Sequence, residues 1–237
     1  MLYLIGGGPG TIRALRGHLK TALAELGLTR PVVAYVGAAS ADDGGFFRMI
    51  RDGLAPCGAK MHLAKLASPR ASAADARKLV EGCDLVFVSG GDVEAGMRVL
   101  HERDMVKPLQ KLERAGKPMF GISAGSLMLA RDWVRFPGEP ASTAPDEGAE
   151  LFPCLGIAPV HVDAHAEEDD WSELKVLVRL LHGRGERAAV GYGLTRQGGL
   201  RVTFAGRERT PKLTPLGTPI PRLVVRRGKV AAAAPLT

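Results

Sequence analysis

Residues 117–130 read KPMFGISAGSLMLA, an apolar run that ends in a glycine–serine turn and continues into a second apolar run. The first run is typical of a buried β-strand and the second of a helix start. Between them, Gly121 and Gly125 flank Ser123 in the G-x-S-x-G pattern of a nucleophile elbow. Side chains at the glycine positions would collide with neighbouring backbone, and the strained turn holds the serine hydroxyl clear of the sheet. Ser123 is therefore the predicted nucleophile; an ordinary strand–turn–helix is the alternative.

Upstream of this turn, short apolar runs alternate with runs of helical periodicity. The predicted strands are 2–5, 31–36, 60–66, 84–89 and 117–122, and the predicted helices are 11–26, 45–54, 72–81, 93–101 and 105–115. Strands separated by helices require crossover connections, which give a mostly parallel sheet covered on both faces. The predicted fold is α/β, a three-layer αβα sandwich.

The chain after the elbow is less regular. Residues 137–152 are rich in Pro, Gly, Ser and acidic residues and are expected to form a surface loop. A helix is predicted near 170–181, followed by short strands and, at 210–221, a proline-rich extended segment. We expect a single domain over 1–237, with a core over 1–205 and an extended or β segment over 206–237.

A second glycine turn, Gly90-Gly91, follows the predicted strand 84–89. Because the carboxyl ends of parallel strands meet at one edge of the sheet, this turn is expected to lie near Ser123. A backbone N–H presented there suits half of an oxyanion hole, and the helix that begins near Ala124 supplies further N–H groups. A simple turn with Asp92 as helix cap is the alternative.

A serine nucleophile needs a base, which histidine usually supplies. Of six histidines, His161 and His165 follow the elbow in the segment PVHVDAH over 159–165. The same H-x-D-x-H spacing with Asp163 could place three metal ligands on one face of a strand. No further ligand cluster is evident, so we expect no metal and no other cofactor.

Composition narrows the class of protein. The 237 residues are 46% apolar and 24% charged, as in an ordinary soluble chain. The net charge of +7 is spread along the chain without an aromatic–basic motif, so nucleic acid is not an expected partner. No signal peptide and no run of about 20 apolar residues is found, so we expect a cytoplasmic protein without membrane contact.

The GGG turn after the first strand, VSGGD over 88–92, GISAGS over 121–126 and the D-x-H segment together resemble the peptidase E and cyanophycinase family. The resemblance covers about 1–205. It implies a class I glutamine amidotransferase-like (flavodoxin-like) fold and a serine-type peptidase, in which Ser123 attacks a small peptide. It also implies an oxyanion hole formed by Gly91 and Ala124, and it favours His165 over His161 as the base.

The sequence also departs from the family pattern. Glu167, Glu168, Asp169 and Asp170 stand where basic residues usually follow the histidine. The third triad residue is open between Glu139 and Asp163, and its role would be to orient the imidazole. A homodimer is compatible with the sequence. The alternatives are a non-catalytic or diverged glutamine amidotransferase-like protein and an α/β-hydrolase-type esterase.

Overall fold

A computed structural model describes residues 1–138 and 148–237 of the protein. Its helices are α1 (Ile12–Glu25), α2 (Gly44–Leu54), α3 (Ala73–Gly82), α4 (Val93–Glu102), α5 (Val106–Arg114), α6 (Ala124–Leu129) and α7 (Ser172–Gly183). Its strands are β1 (Leu2–Ile5), β2 (Val32–Val36), β3 (Lys60–Ala64), β4 (Leu85–Val88), β5 (Met119–Ile122), β6 (Asp132–Arg135), β7 (Glu150–Pro153), β8 (His161–Ala164), β9 (Val190–Leu194), β10 (Gly199–Ala205), β11 (Thr210–Leu216), β12 (Ile220–Arg226) and β13 (Lys229–Leu236). The predicted alternation of strands and helices up to the elbow is thus confirmed.

The central sheet has the strand order β11-β10-β1-β5-β4-β2-β3. Its five strands from β1 to β3 in this order are parallel, and β10 and β11 extend one edge in antiparallel pairing. Because β5 lies between β1 and β4, the turns that follow these three strands are neighbours. The predicted convergence of the glycine turns therefore follows from the strand order.

Two apolar layers cover the sheet because alternate strand residues point to opposite faces. Tyr3 and Ile5 pack with α1 and α2, whereas Leu2 and Leu4 pack with the layer that contains α3 to α6. On the first face, four aromatic rings lie side by side across the strands, with centroid distances of 6.0, 5.4 and 5.5 Å, in the order Tyr3, Phe120, Phe87 and Tyr35. This packing fixes the strands that carry the elbow.

The short strands predicted after the last helix are confirmed as β9, β10 and β12, but other parts of the chain after the elbow differ from the sequence expectation. β6 and β7 form a hairpin, so part of the predicted surface loop over 137–152 is strand. β8 joins a separate sheet in the order β13-β12-β9-β8, against which α7 packs. The proline-rich segment forms β11. Because β11 is an edge strand, Pro211 and Pro215 can occupy positions whose nitrogen faces away from β10, where no N–H donor is needed.

No helix in the described ranges is long and apolar enough to cross a bilayer.

Candidate active site

Ser123 occupies a strained turn between β5 and α6. Its φ of 49° and ψ of −124° lie in a region that non-glycine residues rarely adopt, at a cost of about 1–3 kcal/mol. A side chain at Gly121 would meet the backbone of Gly125, and one at Gly125 would overlap the carbonyl of Val88. The two glycines are therefore required by close backbone contacts, as the elbow pattern predicts.

Hydrogen bonds to β1 hold the elbow in place. The backbone N–H of Ser123 donates to the carbonyl oxygens of Ile5 and Gly6, at 2.9 and 3.1 Å. Ser126 is fully buried, and its hydroxyl accepts from the Ile5 N–H and donates to the Ile5 carbonyl, both at 2.9 Å. Ser126 was missed by the sequence reasoning, and the only signal for it was a hydroxyl in an apolar helix run.

The Ser123 hydroxyl oxygen lies 2.8 Å from Nε2 of His165, which is within hydrogen-bond distance. His165 follows directly after β8, has a φ of 47°, and donates its backbone N–H to the Leu194 carbonyl at 2.8 Å. The structure thus brings together the predicted nucleophile and the histidine that the family resemblance favours.

The first glycine turn packs against this histidine. Gly8 has a φ of 117°, and a Cβ atom placed on it would lie 3.6 Å from Cγ of the His165 ring. Gly6 leaves no room for a side chain, because a Cβ atom there would overlap the carbonyls of Leu194 and Thr195. The backbone of this turn therefore closes against the segments that hold the His165 ring.

The predicted oxyanion donors lie beside the serine. Among the described residues, neither the Gly91 nor the Ala124 backbone N–H donates to a carbonyl or side chain, so both are available to a ligand. Gly91 has a φ of 138°, and a side chain there would overlap the carbonyl of Ala39. Asp92 caps α4 through Ala95 at 2.8 Å, so the simple-turn interpretation holds as well and is compatible with an oxyanion hole.

The structure does not bring Asp163 to the histidine as an orienting acid. Oδ1 of Asp163 accepts the backbone N–H of Ala164 at 2.7 Å, and the backbone amide of Leu174 also interacts with this buried carboxyl group. Within the described residues, no carboxylate hydrogen-bonds or pairs with the His165 ring. Glu139, the other candidate, lies outside the described residues. Asp163 does not orient His165 because its carboxyl group bonds to the Ala164 amide and lines a pocket between β8 and α7.

A pocket of about 280 Å³ opens beside Ser123. Ser123, Ala124, Gly91 and His165 form one side, and the remaining wall is lined by Asp92, Val93, Leu127, Trp133, Asp163, Ala164 and Glu173. Burial raises the pKa of Asp163 to about 7. The negative charges of Glu173 and Asp169 raise this pKa further, whereas hydrogen bonds from the backbone amides of Ala164 and Leu174 lower it. Burial also raises the pKa of Glu173.

His161 lies in a different environment. It is 5% exposed, and its ring nitrogens lie 3.7 Å from Asp132 Oδ2 and 3.6 Å from Glu186 Oε2. Burial lowers its pKa. It lines a larger pocket of about 760 Å³; the described residues of this pocket include none that line the Ser123 pocket and no serine, threonine or cysteine. The described residues that line this pocket therefore give His161 no serine, threonine or cysteine nucleophile to activate.

The alternative metal site is not assembled. Instead of converging, His161 faces Asp132 and Glu186, Asp163 lies in the pocket, and His165 contacts Ser123. Over residues 1–138 and 148–237, no group of three or more His, Cys, Asp or Glu side chains is arranged to hold a metal ion.

The parallel sheet and the serine at its elbow define the class of protein, an α/β chain with a class I glutamine amidotransferase-like fold. The sequence model described as Peptidase family S51 matches residues 2–198. The chain therefore belongs to peptidase family S51, a family of serine-type peptidases, and the resemblance drawn from its motifs is confirmed.

Two solved structures align with nearly the whole chain. A peptidase from an acI-B1 Actinobacterium superposes with a TM-score of 0.66 at 16% identity, over 98% of this chain and 96% of that one. A candidate peptidase E protein from Listeria monocytogenes EGD-e gives a TM-score of 0.56 at 12% identity, over 95% and 98%. At these identities the similarity concerns the fold, and it confirms the predicted fold class.

Curated relatives match shorter parts of the chain. The pyridoxal 5'-phosphate synthase subunit PdxT of Hyperthermus butylicus is 30% identical over 44% of this chain and 62% of its own length. The protein of the same name from Geobacillus kaustophilus is 35% identical over 24% and 29%. The chain thus spans less than two thirds of the length of these relatives.

Proposed function

We propose that the chain hydrolyses small peptides through an acyl-enzyme formed on Ser123. The observation that carries this proposal is the 2.8 Å contact between the Ser123 hydroxyl and Nε2 of His165, made at a strained elbow. In a non-catalytic protein that has kept only the architecture, we would expect no histidine nitrogen within about 4 Å of this hydroxyl. The observed contact therefore favours catalysis over that alternative.

The proposed reaction has two halves. Nε2 of His165 accepts the hydroxyl proton while Oγ of Ser123 bonds to the peptide carbonyl carbon, and the backbone N–H groups of Gly91 and Ala124 stabilise the oxyanion. His165 then gives the proton to the leaving amine as the C–N bond breaks. Water attacks the acyl-enzyme, His165 takes the proton from this water, and the proton returns to Ser123 when the acid product leaves.

For Nε2 to accept this proton, neutral His165 must carry its own proton on Nδ1. A carboxylate usually fixes this tautomer. Because Asp163 bonds to the Ala164 N–H instead, Glu139 stays the prediction for this role. Within the described part of the chain, the hydrogen bond from the His165 backbone N–H to the Leu194 carbonyl holds the histidine in place, and the turn at Gly8 lies beside its ring.

Peptide hydrolysis is favoured over the other chemistries of such elbows. The family match covers residues 2–198 and belongs to a peptidase family, which favours a peptidase over an α/β-hydrolase-type esterase. Glutamine amidotransfer on this fold uses a cysteine at the elbow, where this chain has Ser123. The three cysteines are Cys57, Cys83 and Cys154, and none lines the Ser123 pocket.

A substrate screen with matched variants tests the proposal. Wild-type protein, Ser123→Ala and Ser68→Ala would be assayed on dipeptides, tripeptides and short acyl esters; Ser68 is an exposed serine outside the pocket. We expect peptide cleavage by the wild type and by Ser68→Ala, and its loss in Ser123→Ala. Cleavage of esters but not of peptides, or cleavage that survives Ser123→Ala, would overturn the proposal.

A further inference from the structure

The pocket that His161 lines is separated from the candidate active site by the length of β8. Its volume of about 760 Å³ is in the range of small-molecule sites. The parallel strands β8 and β9 begin at this pocket, and β11 supplies a further wall. His161 is the first residue of β8, whereas His165, which contacts Ser123, follows its last residue. The two pockets therefore lie at opposite ends of the same strand.

His161 is a buried polar side chain without a hydrogen bond to a described residue. The side chain is 6% exposed, and its two nitrogens lie 3.7 Å from Asp132 and 3.6 Å from Glu186, both beyond hydrogen-bond distance. Buried polar groups in this state cost free energy and are rare unless a ligand or water pairs with them. Burial lowers the pKa of His161, which favours the neutral ring with one N–H and one acceptor nitrogen.

The two carboxylates determine which nitrogen of His161 carries the proton. Nδ1 is fully buried and faces Asp132, whose side chain is 9% exposed, so an unprotonated Nδ1 would oppose a buried carboxylate. Glu186 is 29% exposed, and its charge is offset by Arg184 and Arg131. The proton is therefore favoured on Nδ1, which leaves Nε2 as an acceptor that faces Oε2 of Glu186. Two acceptors 3.6 Å apart, on residues that both line the pocket, have no donor between them.

The same pocket presents a cation and an apolar wall. The guanidinium group of Arg187 lines it and is neither paired with nor hydrogen-bonded to a described residue. Such a group is a suitable partner for a carboxylate, which it can bind through two parallel N–H donors. The apolar surface comes from residues of β9 and β11, namely Val190, Pro211 and Leu213.

We propose that this pocket binds a free α-amino acid with an apolar side chain. Its ammonium group donates to Nε2 of His161 and Oε2 of Glu186, its carboxylate pairs with Arg187, and its side chain packs on the apolar wall. An amine alone would leave the arginine unpaired, and a carboxylate alone would leave the two acceptors without a donor. The assignment goes beyond the proposed function and does not depend on it, although free amino acids are what cleavage of a dipeptide releases.

Four probes separate the parts of this ligand. Leucine carries all three groups, 3-methylbutylamine lacks the carboxylate, 4-methylpentanoate lacks the ammonium group, and glycine lacks the apolar side chain. Binding to the wild-type protein would be measured by titration followed through NMR chemical shifts, which reaches millimolar affinities. We expect leucine to bind about tenfold or more tightly than each of the other three, which corresponds to about 1.4 kcal/mol.

Two variants assign the charged groups of the site. Arg187→Gln should weaken leucine binding about tenfold and leave 3-methylbutylamine within about twofold, because only leucine presents a carboxylate. Glu186→Gln should weaken both ligands and leave 4-methylpentanoate within about twofold, because the first two present an ammonium group. Arg30→Gln is the matched control for Arg187→Gln, since Arg30 is also exposed, has no described side-chain partner and does not line the pocket. It should leave leucine affinity unchanged.

Arg187 is exposed, so Arg187→Gln decides the matter if Glu186→Gln fails to fold. No saturable leucine binding up to about 10 mM, equal affinities for the four probes, or unchanged leucine affinity in Arg187→Gln would overturn the inference. Glu173→Gln tests the other location, because Glu173 lines the Ser123 pocket. Leucine binding that is lost in Glu173→Gln but retained in both Arg187→Gln and Glu186→Gln would place the amino acid beside Ser123 and would also overturn it.

Discussion

His161 and His165 lie four residues apart at the two ends of β8, and their surroundings differ sharply. His161 is buried between two carboxylates, with its Nδ1 lacking a hydrogen-bond partner. His165 is partly exposed, and no carboxylate among the described residues is hydrogen-bonded or paired with its ring, but it contacts the Ser123 hydroxyl at 2.8 Å. A nearby acid therefore does not identify the base on this strand. What distinguishes His165 is its position at the carboxyl end of β8, where it meets the elbow that follows β5.

Replacing each histidine by glutamine should show the largest difference between His161 and His165. His165→Gln should lower kcat by about 10⁴-fold or more, because the serine loses its proton acceptor. His161→Gln should leave kcat within about threefold and act on stability instead, by about 1–3 kcal/mol, since it alters a buried polar group. Steady-state kinetics and denaturant unfolding measure the two effects. Equal losses of kcat in both variants would refute the assignment.

Gly91→Ala should act on both activity and folding. The added methyl group would overlap the Ala39 carbonyl, so the turn must shift and its N–H must leave the oxyanion position. We expect kcat to fall by about 10²- to 10³-fold, the usual effect of losing one oxyanion donor. Gly116→Ala is the matched control: its φ is also positive, at 90°, but no atom lies within 4 Å of the added group. An unchanged kcat in Gly91→Ala would remove Gly91 from the site.

Ser126→Ala tests whether the hydrogen bonds between α6 and β1 stabilise the elbow. It removes the hydroxyl that pairs with both the N–H and the carbonyl of buried Ile5. We expect the free energy of unfolding to fall by about 1–3 kcal/mol, because the Ile5 N–H loses its partner. Thermal or urea unfolding measures the loss, and a variant as stable as the wild type would show that the elbow does not depend on this link.

The sequence predicts those parts of the fold and of the candidate site that depend on a short, local sequence pattern. The run KPMFGISAGSLMLA predicts β5, the turn and α6, because each part follows a local rule of apolar spacing or glycine geometry. The segment PVHVDAH is short, and a strand was considered there only in the alternative in which its H-x-D-x-H spacing binds a metal. The choice between His161 and His165 needed the family resemblance, because chain order and nearby acids do not distinguish them.

Features that depend on tertiary contacts were not predictable. The hydrogen bonds of Ser126, and the close approach that leaves little room for a side chain between Gly8 and the His165 ring, involve residues far apart in the chain. The turn of Asp163 away from the histidine depends on how α7 packs against β8. The proline-rich strand β11 was expected to be extended or irregular, and only its edge position makes pairing with β10 compatible with its prolines.

The last prediction concerns Asp163 and pH. Its environment contains Glu173 and Asp169 from the α7 side, with Asp92 and His165 also facing the pocket. Because the folded pKa is about 7, well above the usual value of 3.8, its contribution to stability is complete below about pH 4 and is lost as the pH rises through about 7. Asp163→Asn should remove this decline, which is at most about 1.4 kcal/mol per pH unit. Urea unfolding from pH 4 to 8 measures the slope, and identical slopes for both proteins would contradict the raised pKa.

The most direct test of the central claim is to map the adduct of a serine-reactive fluorophosphonate by mass spectrometry. We expect one phosphonylated residue, Ser123, with labelling abolished in Ser123→Ala, strongly slowed in His165→Gln and close to the wild-type rate in His161→Gln. Labelling at another residue, or no labelling of a folded wild-type protein, would contradict Ser123 and His165 as a working nucleophile and base.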